Sequence, residues 1–427
     1  MKILCTSDIH LGRQPSLKAF PGQDLTFRSA WDFVVATALR LKPDLLILAG
    51  DVVERDNRYF EAWGPLREDV QRLLQAGLTI AAIAGNHDAE VLPRLHAELL
   101  RDLPPEDAAR FILLGQDPED GRMGQWTHRV VTLGGDALRL VGWSFPARHH
   151  HADPLQAFPP LPADLPTLGI LHGDLDLPGT PYAPFTSGGL RAAQVDRWVL
   201  GHIHAPTARD AAPFYCGSPL PLRASETGAH GCWLLELRGR AWVDPLLVPA
   251  PLRIETLEVP LTPAATGQAQ VMAAIHQGMQ AALLRCQEAA PDLTGVWFRV
   301  TLTGTATLPE LDLSEGFTFT QDGVQGAIHG TVENLTHPPL PLEAWRQEKG
   351  AKGMLAGLIL DLDAGAIPPG AWEDLQGDLR ALERESRAAG AFTSLEPLPS
   401  EAGPETLLRR ACVRLLTALA ATEAHHV

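Results

Sequence analysis

Five short segments in the first half of the chain each set a carboxylate, an amide or an imidazole directly after an apolar run. They are Asp8-Ile9-His10, Gly50-Asp51, Gly85-Asn86-His87-Asp88, His172-Gly173-Asp174 and Gly201-His202-Ile203-His204. Taken singly, each has an ordinary explanation, since a buried His or Asp at a strand end is more often a hydrogen-bonded structural group than a ligand. Taken together and in order, they supply the oxygen and nitrogen donors of a two-metal site that cuts phosphate esters. That reaction needs a nucleophile at neutral pH and neutralisation of charge on the phosphoryl oxygens, and two ions roughly 3.5–4 Å apart provide both. One carboxylate must touch both ions; Asp51, fixed by Gly50 at a tight strand end, is the residue expected there. Oxygen and imidazole donors without thiolate suit manganese, iron or zinc better than calcium. Asn86 adds a neutral donor where a further carboxylate would leave the ions less electrophilic.

The elements that must hold these residues are legible around them. Strands are expected at 2–7, 44–49, 78–84, 167–171 and 196–200, each ending where a segment begins. Between the first two, Phe27, Ala30, Trp31, Val34, Val35, Ala38 and Leu41 recur at helical spacing, with Pro43 as a stop. Phe60, Trp63, Leu66, Val70, Leu73 and Leu74 repeat the pattern before Gly77. Alternating strands and helices predict an α/β layered fold with its ligands at the carboxyl ends of the strands. Residues two apart at a strand end point the same way, so Asp8 with His10, and His202 with His204, are expected to converge pairwise. A hairpin with a turn at Gly134-Gly135 is expected over 129–146, in a second sheet of the same domain. His149-His150-His151 fall in a Pro-rich stretch that reads as an exposed loop, and His96, His128, His230, His425 and His426 belong to no segment.

At 427 residues the chain exceeds one ordinary core, so a large domain and at least one smaller unit are expected. After Pro249-Ala250-Pro251 comes a strand–helix–strand pattern at 253–259, 268–287 and 296–303, with further strands at 317–320 and 324–332. The linker His337-Pro338-Pro339-Leu340-Pro341 leads to helical patterns at 371–387 and 404–420. The second has a face of Leu407, Leu408, Ala411, Leu415, Leu416 and Leu419. Such faces pack on each other or on the body, or offer a docking site to a partner helix. The composition, 45% hydrophobic and 20% charged, is that of a soluble globular protein. No signal-peptide pattern and no membrane-spanning run is found, and the five cysteines are scattered without C-x-x-C spacing. A reducing cytoplasmic location without membrane association is expected. The net charge of −16 disfavours binding to nucleic acid by the chain alone, and points to a basic partner or a small phosphorylated substrate.

The five segments read D-x-H, G-D, G-N-H-D, H and G-H-x-H, and on them the chain resembles the calcineurin-like metallophosphoesterases. The resemblance implies an α/β fold of four layers, a β-sandwich flanked by helices. It implies one ion held by Asp8, His10, Asp51 and His204 and another by Asp51, Asn86, His172 and His202, with Mn²⁺ the first expectation and Fe or Zn alternatives. His87 would not be a ligand but would stabilise the transition state or protonate the leaving oxygen, with Asp88 orienting it.

The stretches Thr6-Ser7-Asp8-Ile9-His10-Leu11-Gly12-Arg13 and Phe214-Tyr215-Cys216-Gly217-Ser218-Pro219-Leu220-Pro221-Leu222 are similar to those of SbcD-type DNA repair exonucleases. That narrower resemblance implies a nuclease domain over 1–250, an α/β cap over 251–335 and a Pro-rich linker with partner-docking helices over 336–427. It implies DNA as substrate, an SMC-like coiled-coil ATPase of the SbcC type as partner, and a homodimer as an open option. The alternative is a stand-alone phosphodiesterase or phosphatase on nucleotides or other small phosphorylated molecules. A non-catalytic scaffold would be marked by lost ligands, and none is lost. Glu54 departs from the pattern, standing where eukaryotic and archaeal relatives tend to carry His and bacterial ones Asp, so it leaves exonuclease against endonuclease preference open.

Overall fold

The computed structural model describes residues 1–15, 25–54, 59–207, 214–265, 267–306, 318–328, 330, 332–366, 408–409, 411–413 and 415–417. The chain divides into two units, one of residues 1–255, 285–297 and 318–327 and one of residues 256–284, 298–317 and 328–427.

The first unit opens with β1 (Lys2–Thr6), α1 (Ser29–Leu41), β2 (Leu45–Ala49), α2 (Tyr59–Gln75), β3 (Thr79–Ile83), α3 (Leu92–Asp102), α4 (Pro105–Ala108) and β4 (Phe111–Leu113). It continues with β5 (Trp126–Leu133), β6 (Asp136–Trp143), β7 (Thr167–His172), α5 (Ser187–Ala192), β8 (Arg197–Gly201), β9 (Phe214–Tyr215), β10 (Gly231–Arg238) and β11 (Ala241–Pro249). Six strands form one sheet in the order β11-β10-β1-β2-β3-β4, and five form another in the order β5-β6-β7-β8-β9. β1 to β4 run parallel, as do β6 to β9, so the strands that carry the predicted site residues end on the same edge of their own sheet.

Side-chain alternation along these strands builds the layers. Leu4, Leu46, Leu48, Ile80 and Ala82 pack on the helices through Trp31, Val34, Val35, Leu66, Val70, Leu95 and Leu99. Their neighbours Ile3, Cys5, Leu45, Ile47, Ala81 and Ile83 face the second sheet and meet Leu138, Leu140, Leu168, Ile170 and Val199. The far side of the second sheet is covered in turn, with Trp143, Leu171, Trp198 and Leu200 packed against Phe185 and Leu190. Both faces of β2, β3 and β7 are therefore buried, which is why those strands read as unbroken apolar runs. The layered α/β architecture expected from the sequence is the one observed, and the 129–146 hairpin lies at the edge of the second sheet as β5 and β6.

β10 and β11 were not anticipated. They add an antiparallel hairpin to the β1 edge, turning at Gly239, whose φ of 64° a side chain adopts with strain. Helix α3 was also missed, although Leu92, Leu95 and Leu99 lie buried at helical spacing.

The division between units falls within β12 (Leu252–Leu261), α6 (Gln268–Ala289) and β13 (Gly295–Gly304). β14 (Thr318–Gln321) and β15 (Val324–Ile328) form an antiparallel hairpin, and β16 (Glu333–Asn334) pairs in parallel with β13. In the second unit α7 (Leu342–Trp345) and α8 (Ala351–Asp363) follow; α8 buries Ala356 and Ile359 against Cys412, Val413 and Leu416. The buried residues of this last segment are thus Cys412, Val413 and Leu416, with Leu408 partly buried beside them, while Leu415, expected on the same face, is 57% exposed. The segment is apolar on both sides, so periodicity alone did not choose between them. The helical pattern at 371–387 lies outside the described residues. Among the described residues no helix is long and apolar enough to cross a membrane.

Trp31 is fully buried between α1 and the first sheet, and among the described residues its indole N–H has no hydrogen-bond partner. Its contribution is therefore packing. Urea unfolding should show Trp31→Ala losing about 3–5 kcal/mol, and Trp31→Phe losing far less because no hydrogen bond is broken.

Candidate metal centre

All nine predicted site residues lie in the first unit, His172 as the last residue of β7 and the others in loops that follow four further strand ends. The chain reaches the centre through left-handed backbone: Asp8, His10 and Asp51 have φ of 52°, 49° and 51°, and His202 has 103°. Such conformations cost of order 1–3 kcal/mol each in a non-glycine residue and persist only where the surroundings hold them. Here the holding is a backbone ladder between two loops. Asp8 N–H donates to the Gly50 carbonyl at 3.1 Å, His10 N–H to Asp51 at 2.9 Å and Leu11 N–H to Val52 at 2.9 Å, while Glu54 N–H returns to Leu11 at 2.9 Å.

Three glycines allow the loops and strands of the two sheets to close on one point. A Cβ on Gly50 would overlap the His172 imidazole, one on Gly85 the Asp51 carboxylate, and one on Gly201 the Ala49 carbonyl. His172 sits in the resulting crevice, fully buried, with Nδ1 donating to the Ala49 carbonyl at 2.9 Å.

The donors gather in overlapping groups. Asp8, His10 and His204 form one, Asp8, Asp51 and His172 another, and His10, Asp51 and His87 a third, with ligand atoms within 4.8 Å of one another in each. Asp51 Oδ2 stands 3.7 Å from His10 Nε2 and 3.5 Å from His172 Nε2, between the groups. Asn86 Oδ1 lies 3.2 Å from both His172 Nε2 and His202 Nδ1. His202 and His204 therefore do not converge on one point as strand alternation predicted. The left-handed turn at His202 sends its ring toward Asn86 and His172, and His204 toward Asp8 and His10.

The donor set fits divalent cations. Asp8 and Asp51 are buried, and the nitrogens His10 Nε2 and His204 Nε2 face each other at 3.2 Å. Only one of two facing imidazole nitrogens can carry a proton between them, whereas a shared cation satisfies both lone pairs. Burial works against charge here, but the charges of His172, His10 and His87 outweigh it and hold Asp51 below the usual carboxylate range. Burial likewise lowers His172, and Asp51 more than reverses this, raising it to about 9. Burial dominates at His10 and, with the charge of His172, at His202; both are lowered.

His87 is oriented by a different residue from the one expected. Asp88 accepts backbone N–H groups of Val52 at 2.7 Å, Val53 at 3.2 Å and Gly85 at 2.7 Å, so it staples the Asp51 loop to the Asn86 loop. The carboxylate on the imidazole is that of Glu54, whose Oε1 lies 2.9 Å from His87 Nδ1 and whose Oε2 lies 3.2 Å from His10 Nδ1. Burial opposes protonation of His87, yet Glu54 and Asp51 outweigh it and the pKa is raised. Asp174, from the His172 segment, has Oδ1 3.5 Å from His202 Nε2, while the contact of Glu226 Oε1 with His204 Nδ1 at 2.7 Å had no local signal in the sequence. Glu226 comes from 22 residues downstream, and only the fold brings it there.

Residues 1–206 match the family described as calcineurin-like phosphoesterases. The chain carries that match over just under half of its length, and all nine predicted site residues fall within it. It is 29% identical over 223 residues to the uncharacterized metallophosphoesterase YhaO of Bacillus subtilis, covering 50% of each chain. It is 34% identical over 102 residues to the DNA double-strand break repair protein Mre11 of Aeropyrum pernix, covering 24% of each. To the SbcD component of the SbcCD nuclease of Escherichia coli it is 27% identical over 263 residues, 53% of this chain and 62% of that one. The chain thus spans about half the length of the first of these relatives.

Because a Cβ at Gly85 must displace the Asp51 carboxylate, Gly85→Ala should weaken divalent-cation binding, measured by calorimetry with Mn²⁺ as the probe. A shift of about 1 Å in a reacting group should also lower phosphodiester turnover by about 100-fold.

Proposed function

We propose that the chain is a two-metal phosphodiester hydrolase whose substrate is DNA and which acts in repair with an SMC-like coiled-coil ATPase. The observation that carries the hydrolase reading is the convergence of Asp8, His10, Asn86, His172, His202 and His204 around Asp51 from five strand ends. Asp8, His10, Asp51 and His204 would hold one ion and Asp51, Asn86, His172 and His202 the other, Mn²⁺ being the first to test. Such a pair supplies Lewis acidity toward the phosphoryl oxygens and lowers the pKa of water. His87, with Nδ1 held by Glu54 and its pKa raised, would protonate the leaving oxygen through its other ring nitrogen. Asp88 keeps the two loops in register beneath it.

The DNA reading is supported by the similarity to the SbcD component and to Mre11, and by the Gly217-Ser218-Pro219 segment that follows the last histidine pair. The net charge of −16 favours a basic partner for duplex binding. The same charge supports the second reading, a small phosphorylated substrate handled by the chain alone.

Purified protein with Mn²⁺ should degrade end-labelled DNA and turn over a generic phosphodiester dye, and Asp51→Asn should abolish both. Dye turnover without DNA cleavage, even after addition of a cognate ATPase, would move the assignment to small substrates. In the same assays His87→Ala should keep its Mn²⁺ while losing about 10²–10⁴-fold in turnover; loss of the metal would make His87 a ligand instead.

A further inference from the structure

We propose that Glu226 is a positioning residue of the metal centre, fixing the ring orientation and the tautomer of His204. The inference deepens the two-metal reading and rests on it. His204 Nε2 points into the centre, 3.2 Å from His10 Nε2 and 3.8 Å from Asp8 Oδ1, so it must present a lone pair there to bind a cation. That requires the proton on Nδ1, where Glu226 Oε1 accepts it at 2.7 Å.

The carboxylate is itself held. Glu226 Oε2 accepts the Leu222 N–H at 2.6 Å and lies 3.5 Å from Ser218 Oγ. Ser218 N–H in turn donates to the His204 carbonyl at 2.9 Å, so the segment 218–226 is fastened to both the backbone and the ring of one histidine. The other imidazoles are braced differently. His172 uses the Ala49 carbonyl, a backbone group in a buried strand, and His10 uses Glu54 from the neighbouring loop. His204 is the more exposed, at 21% of its side chain, and depends on a side chain brought from beyond β9.

Both Glu226 oxygens face donors, and this makes glutamine a sharp probe. An amide offers a single acceptor oxygen, so its NH₂ must face either Leu222 N–H or His204 Nδ1. In the second case Nδ1 becomes the acceptor, the proton moves to Nε2, and the lone pair needed for a cation is lost. Aspartate keeps two acceptors.

The test is Mn²⁺ binding by calorimetry on the full chain, with melting of the metal-free protein measured beside it. Wild type should bind two equivalents. Glu226→Gln and Glu226→Ala should bind one of them about 10–100-fold more weakly and the other as wild type does. Glu226→Asp should recover much of the loss, and metal-free melting should fall no further in Glu226→Ala than the loss of its buried hydrogen bonds accounts for. Unchanged binding of both equivalents in Glu226→Ala would overturn the proposal. So would equal weakening in Glu226→Asp and Glu226→Gln with metal-free melting lowered in both, which marks a structural role. Wild type that takes up no Mn²⁺ would overturn the metal-centre reading itself.

Discussion

The structure turns on the narrow gap at the carboxyl ends of β1, β2, β3, β7 and β8, where two sheets stand closer than ordinary side chains permit. Gly50, Gly85 and Gly201 are the positions at which the gap is made, because a methyl group on any of them would overlap His172, Asp51 or the Ala49 carbonyl. Everything placed in the gap must then be small or hydrogen-bonded on every side. His172 and Asp51 meet that condition by pairing with the backbone and with each other.

Crowding charged groups into a dry crevice is costly unless they compensate one another. At Asp51 and His172 the attraction between carboxylate and imidazole outweighs burial, while at His10 burial wins. A cluster of acids and imidazoles arranged in this way is poised for cations. Around it runs a ring of carboxylates that touch the imidazoles from outside the cluster: Glu54 behind His10 and His87, Asp174 beside His202, Glu226 behind His204. Outer partners of this kind fix ring orientation and basicity, and a centre described only by its inner ligands omits them.

The strained loops belong to the same design. Asp8, His10, Asp51 and His202 adopt left-handed backbone, which ordinary strand continuation would not give, and the ladder from Asp8 through Glu54 holds the first three of them there. This strain explains why strand alternation misplaced His202 relative to His204. The rule describes extended chain, and the chain is no longer extended where the site begins.

The sequence by itself determined the five strands that lead to the site and the helices α1 and α2, because buried parallel strands are unbroken apolar runs, and it singled out the chemistry-bearing residues at their ends, which stand out against those runs. Tertiary structure decided what has no local period. Asp88 is next to His87 in the chain yet bonds the backbone of the Asp51 loop; Glu54 and Glu226 are remote in sequence yet touch the imidazoles. The buried side of the last described helical segment was likewise settled by contact with α8, since its apolar residues fill both faces. Hydrogen bonds between loops depend on where whole strands end in space, and no spacing along one chain encodes that distance.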